Sequence, residues 1–274
     1  MSQTVKVCQK LIRNWLGIFL LFSLPSLSFA KPVGVQSNSI PVNGTFLSPV
    51  GILFAPFPSA ACINPAALSN PDSLTALQLA YSPKRGTDPQ NLYTGIATSS
   101  KTFGFGFGYF GSMGELKTTN GGFVGLGFKN DLHQYGLSYR NKDLTSNSLG
   151  NFDLAYLYTD VREGLSYGAV LRSINNSPQL DLGIGYIPDR FFNIEFNVNT
   201  PNASQLSNGD FILVGSSNFS ISPQINLHLQ LNYHTKLSKV EPLFAFNYWL
   251  SDYSNALLQF TTPNVWSVGF SLIF

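Results

Sequence analysis

From residue 74 onward, apolar and polar positions alternate with a period of two. In segment 225–234, Ile225, Leu227, Leu229, Leu231 and Tyr233 share one parity, and Asn226, His228, Gln230, Asn232 and His234 the other. Successive side chains of a β-strand point to opposite faces, so this spacing predicts a strand with one apolar and one polar face. Segment 190–199 repeats it, with Phe192, Ile194, Phe196 and Val198 against Asn193, Glu195, Asn197 and Asn199. Segment 102–110 sets Phe103, Phe105, Phe107 and Tyr109 against Gly104, Gly106 and Gly108. The last segment, 265–274, sets Trp266, Val268, Phe270, Leu272 and Phe274 against smaller or more polar neighbours. The full series predicts fourteen strands: 74–82, 91–98, 102–110, 122–129, 132–140, 151–158, 164–172, 179–187, 190–199, 210–218, 225–234, 242–250, 255–261 and 265–274.

Such strands suit either a secreted sandwich or a membrane barrel whose large face meets lipid. Composition favours the barrel. Charged residues are 11% of the chain, against about a quarter in a soluble domain, while aromatics reach 14% and there are 24 glycines. After residue 30 no run reaches the ~18 apolar residues of a spanning helix. An even strand count is what bacterial single-chain barrels show. Connection lengths add orientation. The longest, 83–90, 111–121, 141–150 and 200–209, are all odd-numbered, as expected of external loops when both barrel ends are periplasmic; 262–264 is the short exception. The expected fold is all-β, a transmembrane antiparallel barrel in the bacterial outer membrane. Phe274 resembles the terminal aromatic of such barrels, which implies recognition by the barrel assembly machinery.

Two segments precede the barrel. Residues 1–30 read as a cleaved signal peptide: Lys6, Lys10 and Arg13, an apolar stretch from Trp15 to Phe22, and the small-residue ending Ser28-Phe29-Ala30. Removing them leaves Cys62 as the sole cysteine, and thirteen basic residues against fourteen acidic. Nothing in that balance points to nucleic acid. Residues 31–73 hold seven prolines and no long alternation, yet carry Phe46, Leu47, Val50, Ile52, Leu53, Phe54 and Phe57. Disordered segments are poor in such residues. An irregular plug, or hatch, inside the lumen is expected, because irregular backbone at membrane depth needs protein or a wet cavity around it. The domains are thus 1–30, 31–73 and 74–274.

Within the plug, Asn64-Pro65-Ala66 resembles the Asn-Pro-Ala motif of FadL-type outer-membrane transporters. Signal peptide, hatch-length segment, motif and first strand follow one another in the order of that family. This chain is short for the family and lacks the long Gly-rich lead-in of many members. The resemblance implies a fourteen-stranded barrel with an N-terminal hatch that passes hydrophobic compounds such as long-chain fatty acids. It also implies that a kink in the third strand opens the wall sideways, which would fall on Gly104, Gly106 and Gly108. Read from the residues alone, those glycines leave room for close approach of the hatch.

The expected inner-face polar set is Lys129, Arg140, Asp153, Arg172, Asp181, Glu195, His228 and His234. Two roles fit: salt-bridged filling of a narrow lumen, or a carboxylate-binding patch around Arg140 or Arg172. His228 and His234 are six positions apart on one strand face, roughly 20 Å, too far to share a metal. No metal site, cofactor or nucleophile motif stands out, so no catalytic role is expected. The expected function is passive uptake of small hydrophobic molecules, with a structural or secretion-partner barrel as the alternative. The expected partners are a hydrophobic small molecule, outer-membrane lipids and the assembly machinery.

Overall fold

The computed structural model describes residues 52–53, 59–69, 74–83, 90–113, 118–141, 143–145, 149–160, 162–176, 178–189, 192–200, 211–261 and 265–274. The expected signal peptide, 1–30, and most of segment 31–73 lie outside these.

The alternating segments all form strands: β1 (Leu74–Ser82), β2 (Gln90–Ser99), β3 (Phe103–Met113), β4 (Thr118–Asn130), β5 (His133–Asn141), β6 (Asn151–Asp160), β7 (Leu165–Arg172), β8 (Gln179–Asp189), β9 (Phe192–Asn199), β10 (Ile212–Ser222), β11 (Ile225–His234), β12 (Lys239–Ser251), β13 (Ser254–Thr261) and β14 (Val265–Ile273). Each pairs antiparallel with its sequence neighbours, and β14 pairs with β1, closing a fourteen-stranded barrel. The seam runs from Ala76 opposite Ile273 to Tyr81 opposite Val268. Beyond it, Phe274 N–H donates to Thr75 C=O at 2.7 Å, and Thr75 N–H returns to Phe274 C=O at 3.3 Å. Closure matters because an open edge would leave a row of backbone N–H and C=O groups unpaired, which hydrocarbon does not tolerate.

The outward parity is a continuous apolar surface. Phe107, Phe128, Ile184, Phe196, Phe244 and Leu250 are each more than half exposed. The inward parity is mostly buried and mostly small or polar, with a few large side chains such as Tyr93, Phe123, Leu157 and Trp249. A nine-residue β14 at ~3.3 Å per residue, tilted ~40°, rises about 23 Å, close to the ~25 Å apolar band of such barrels. Among the described residues no helix is long and apolar enough to cross a membrane; strands make the crossing. At the end where β1 begins and β14 finishes, Tyr158 stacks on Tyr167 at 4.7 Å, and His133, Tyr135 and Tyr156 extend this ring cluster. Amphipathic rings of this kind favour the membrane interface.

Strand lengths depart from the alternation at several ends; β10, for example, runs Ile212–Ser222 rather than 210–218. The expected long connection 111–121 shrinks to 114–117, because β3 runs to Met113 and β4 starts at Thr118. Similarly, β12 begins at Lys239 rather than 242. Backbone pairing continues past the regular run of alternating apolar side chains, so that run is shorter than the strand it belongs to. A further difference is β8, which continues through Pro188 to Asp189. The β8–β9 register shifts between Tyr186 and Asp189, and such an irregularity is where a strand tolerates a residue without an N–H.

Candidate functional site

The described parts of the expected plug, Ile52–Leu53 and Ser59–Ser69, are buried against the inner wall. Their residues form a short helix α1 (Ala60–Ile63) and a 3-10 turn, Pro65–Leu68. Asn64 separates them in an extended conformation, φ −148° and ψ 96°. A residue before proline is pushed out of the helical region, so α1 stops there, and Pro65 starts the next turn where no N–H is needed. Asn64 is fully buried. Its Oδ1 accepts from Ala66 N–H at 3.1 Å and its Nδ2 donates to Ile52 C=O at 2.8 Å. One side chain thus ties together two stretches of the plug that are twelve residues apart.

The seat for these turns is a field of glycines. The inner faces of β3, β4 and β5 present Gly104 and Gly106, Gly125 and Gly127, and Gly136, in adjacent register. A methyl group added at Gly125 would sit 2.7 Å from Ala61 C=O, and one at Gly127 2.6 Å from Pro65 C=O. At Gly104 it would strike the Leu68 backbone, and at Gly136 the Pro65–Ala66 peptide. Only a bare backbone permits this approach. Gly108 instead faces the Phe123 ring and Thr94 C=O. Along its whole length β3 pairs with β2 and β4 without a register break, so the wall at Gly104, Gly106 and Gly108 is closed in this structure. Gly125, Gly127 and Gly136 were not singled out from the sequence. Their common inward parity beside Gly104 and Gly106 was the available signal.

Charge gathers on β5 to β8. Asp153 is fully buried and accepts from Arg140 Nη2 at 2.9 Å, Ser138 Oγ at 3.3 Å and Ser173 N–H at 2.9 Å, and Arg140 Nε lies 2.7 Å from it as an ion pair. Arg172 pairs with Asp181 and lies 3.9 Å from Asp153. It also donates to Ile63 C=O at 2.8 Å and Cys62 C=O at 3.4 Å. Those are terminal carbonyls of α1, which lack intrahelical partners and favour a cation. Two guanidiniums thus meet two carboxylates, and Arg172 also anchors the plug. Glu195 accepts from Leu53 N–H at 2.7 Å, and Asn197 from Ile52 N–H at 3.5 Å. Ser59 and Ser69 donate to Gln78 and Gln134 at 2.5 and 3.3 Å. The plug is therefore fastened to β1, β5, β7 and β9. Burial pushes the Cys62 thiol, inside α1, up to about 12.

The remaining expected lumen residues lie elsewhere. His228 sits between Asn218 and Gln230, at 2.5 and 3.3 Å, on the opposite wall. His234 contacts Glu241 at 3.2 Å at the far end of β11. Lys129 is half-buried near the end of β4. The structure brings Arg140 and Arg172 together with the plug, together with Glu195, and leaves His228 and Lys129 apart from that cluster.

An even, closed set of antiparallel strands, an apolar exterior and a polar lumen define a bacterial outer-membrane β-barrel. No family model matches the chain, and no curated protein matches it. Among solved structures, a multiple mutant of Rh. blastica porin is similar at 11% identity, spanning 74% of this chain and 98% of that one, with a TM-score of 0.45. KdgM porin is similar at 9% identity, spanning 72% and 98%, with a TM-score of 0.42.

Proposed function

We propose that this barrel passes small hydrophobic molecules across the outer membrane without coupling to an energy source, as the FadL-type resemblance implies. The observation that carries the reading is the position of Asn64: the Asn-Pro-Ala motif is the knot of the plug, buried against the lumen wall. The surface beside it is apolar, with Ile52, Leu53, Ile63 and Leu68 buried near Leu157 and Val170 in one cluster. In this reading residues 31–73 form the hatch, the chain is processed after Ala30, and Phe274 is read by the assembly machinery. Opening requires the hatch to shift on its glycine seat.

The test is displacement of a fluorescent hydrophobic probe by long-chain fatty acids from purified, heat-modifiable protein. Saturable displacement that Asn64→Ala alters is expected. Absence of saturable binding by an intact barrel would remove the uptake reading.

A structural or secretion-partner barrel is the second reading. It is favoured by the balanced ion cluster of Arg140, Asp153, Arg172 and Asp181, which leaves both arginines engaged. Isolation with a stoichiometric protein partner, and without bound lipid, would support it.

A further inference from the structure

The lumen wall opposite the glycine seat is rich in amides, and its two halves behave differently. On β9, β10 and β11 most amide side chains satisfy one another, although Asn197 Nδ2, Asn199 Oδ1 and Ser216 Oγ have no partner among the described residues. Asn218 Nδ2 donates to Asn193 Oδ1 at 2.5 Å, His228 bridges Asn218 and Gln230, and Gln230 Nε2 donates to Asn232 Oδ1 at 2.7 Å. On β12, β13, β14 and β1 they do not. Both polar atoms of Asn247, Asn255 and Gln259 are buried without a hydrogen-bond partner among the described residues, as are Trp249 Nε1, Ser267 Oγ and Gln78 Nε2. All six residues are more than nine-tenths buried. Arg140 Nε, on β5, also has no hydrogen-bond partner, although it forms an ion pair with Asp153.

Register makes the nine atoms one patch. Asn255 stands opposite Trp249 on β12 and Ser271 on β14, and Ser271 stands opposite Gln78 on β1. Gln259 stands opposite Ser267. Asn255 and Gln259 are ~13 Å apart along the strand, and four strands are ~14 Å wide. Leu257 stands between Asn255 and Gln259 and opposite Asn247, and the small residues Gly269, Ser271, Ala80 and Ala245 surround it.

Buried amides left unpaired cost free energy, and one such group per wall would be unremarkable. A contiguous set is what a binding surface presents before its ligand supplies the missing bonds. Because both atoms of Asn247, Asn255 and Gln259 lack partners, the conclusion does not depend on which way those amides are turned. The chemistry of the missing ligand follows from the set. It offers donors and acceptors together, so a hydroxyl, which does both, complements it, whereas a carboxylate can only accept. No acidic or basic side chain lies on β12 between Leu243 and Trp249, or on the described inward positions of β13, β14 and β1. A bare carboxylate would therefore be buried there without a counter-charge.

We infer that the inner wall of β12, β13, β14 and β1 binds the uncharged, hydroxyl-bearing head group of an amphiphilic molecule. Asn247, Asn255 and Gln259 are its main contacts, and Trp249 is a donor at its edge. This rests on the uptake reading for the apolar tail and adds the class of head group.

The experiment compares two ligands of equal chain length, monodecanoylglycerol and decanoate, on full-length protein in lipid nanodiscs. The readout is emission from Trp249 in a Trp15→Phe, Trp266→Phe background, Trp266 being on the outer face. The acylglycerol is expected to bind about tenfold more tightly, the worth of one or two net hydrogen bonds. Asn255→Leu with Gln259→Leu should reduce that preference to about threefold or less while decanoate binding stays within about twofold. Saturable binding of both ligands with equal affinity would overturn the head-group assignment and leave hydrophobic uptake standing. So would a double variant that still folds and keeps the full preference. No saturable binding of either would overturn both. The wild-type preference is decisive even if the double variant fails to fold.

Discussion

Arg172, on β7, donates to the C=O of Ile63 at 2.8 Å across 109 residues of sequence. The same guanidinium is held by Asp181 and faces Asp153. One barrel side chain therefore links the charge balance of the wall to the end of α1. Arg172→Ala removes the cation from two buried carboxylates and frees the α1 carbonyls. Breaking a buried pair in this way costs about 3–5 kcal/mol. The expected result is an unseated plug in a folded barrel: faster reaction of Cys62 with a thiol reagent, and retained heat-modifiable migration. Unchanged labelling would show that the other anchors suffice.

The glycine seat predicts a contrast between two Gly→Ala changes. At Gly136 the added methyl meets the Pro65–Ala66 peptide, whereas at Gly215 its nearest neighbour is the Phe196 ring at 3.7 Å. Overpacking of the first kind costs about 1–3 kcal/mol. Gly136→Ala should raise the protease sensitivity of the plug, and Gly215→Ala should match the parent. Limited proteolysis of the two variants side by side decides this.

Cys62 predicts an alkaline limit to plug docking. Burial raises its thiol from 9.0 to about 12, while Arg140 and Arg172 pull it down. The docked plug therefore holds this proton more tightly than the undocked one. That contribution is complete below about pH 9 and is lost as pH rises toward about 12. Labelling at pH 8 should be slow, and Cys62→Ala should extend plug docking to higher pH in the proteolysis assay. Labelling at pH 8 as fast as in unfolded protein would contradict the buried placement.

The exterior predicts a lipid-facing cost. Phe196 is mid-strand on β9 and 57% exposed on the apolar face. Phe196→Lys should destabilise the barrel in bilayers by about 2–4 kcal/mol, the usual cost of a cation near the midplane. Reversible unfolding from liposomes measures it, and a change below ~0.5 kcal/mol would place this face away from lipid.

Much of the fold was legible because the face a strand residue occupies is a local property. The alternation in 225–234 places His228 and Gln230 inside and Leu227 and Leu229 outside, and Ile225–His234 does so. The ends of β3 and β12 were less legible, since Gly111, Ser112 and Lys239 carry no apolar signal although their backbones still pair. The site was legible in kind rather than in partners. The inward parity of Arg172 and Glu195 is local, but nothing near them in sequence points to Ile63 or Leu53.

By itself, then, the sequence determined the strand count, the two faces and the presence of an irregular apolar segment ahead of the barrel. Each follows from side-chain period and composition over ten residues or so. The tertiary structure alone decided that the glycines of β3, β4 and β5 align into one seat under Asn64-Pro65-Ala66. It also decided that Asn193, Asn218, Gln230 and Asn232 pair while Asn247, Asn255 and Gln259 do not. Those outcomes depend on inter-strand register and on distances across the lumen, which exist only once β14 has paired with β1 and the barrel is closed.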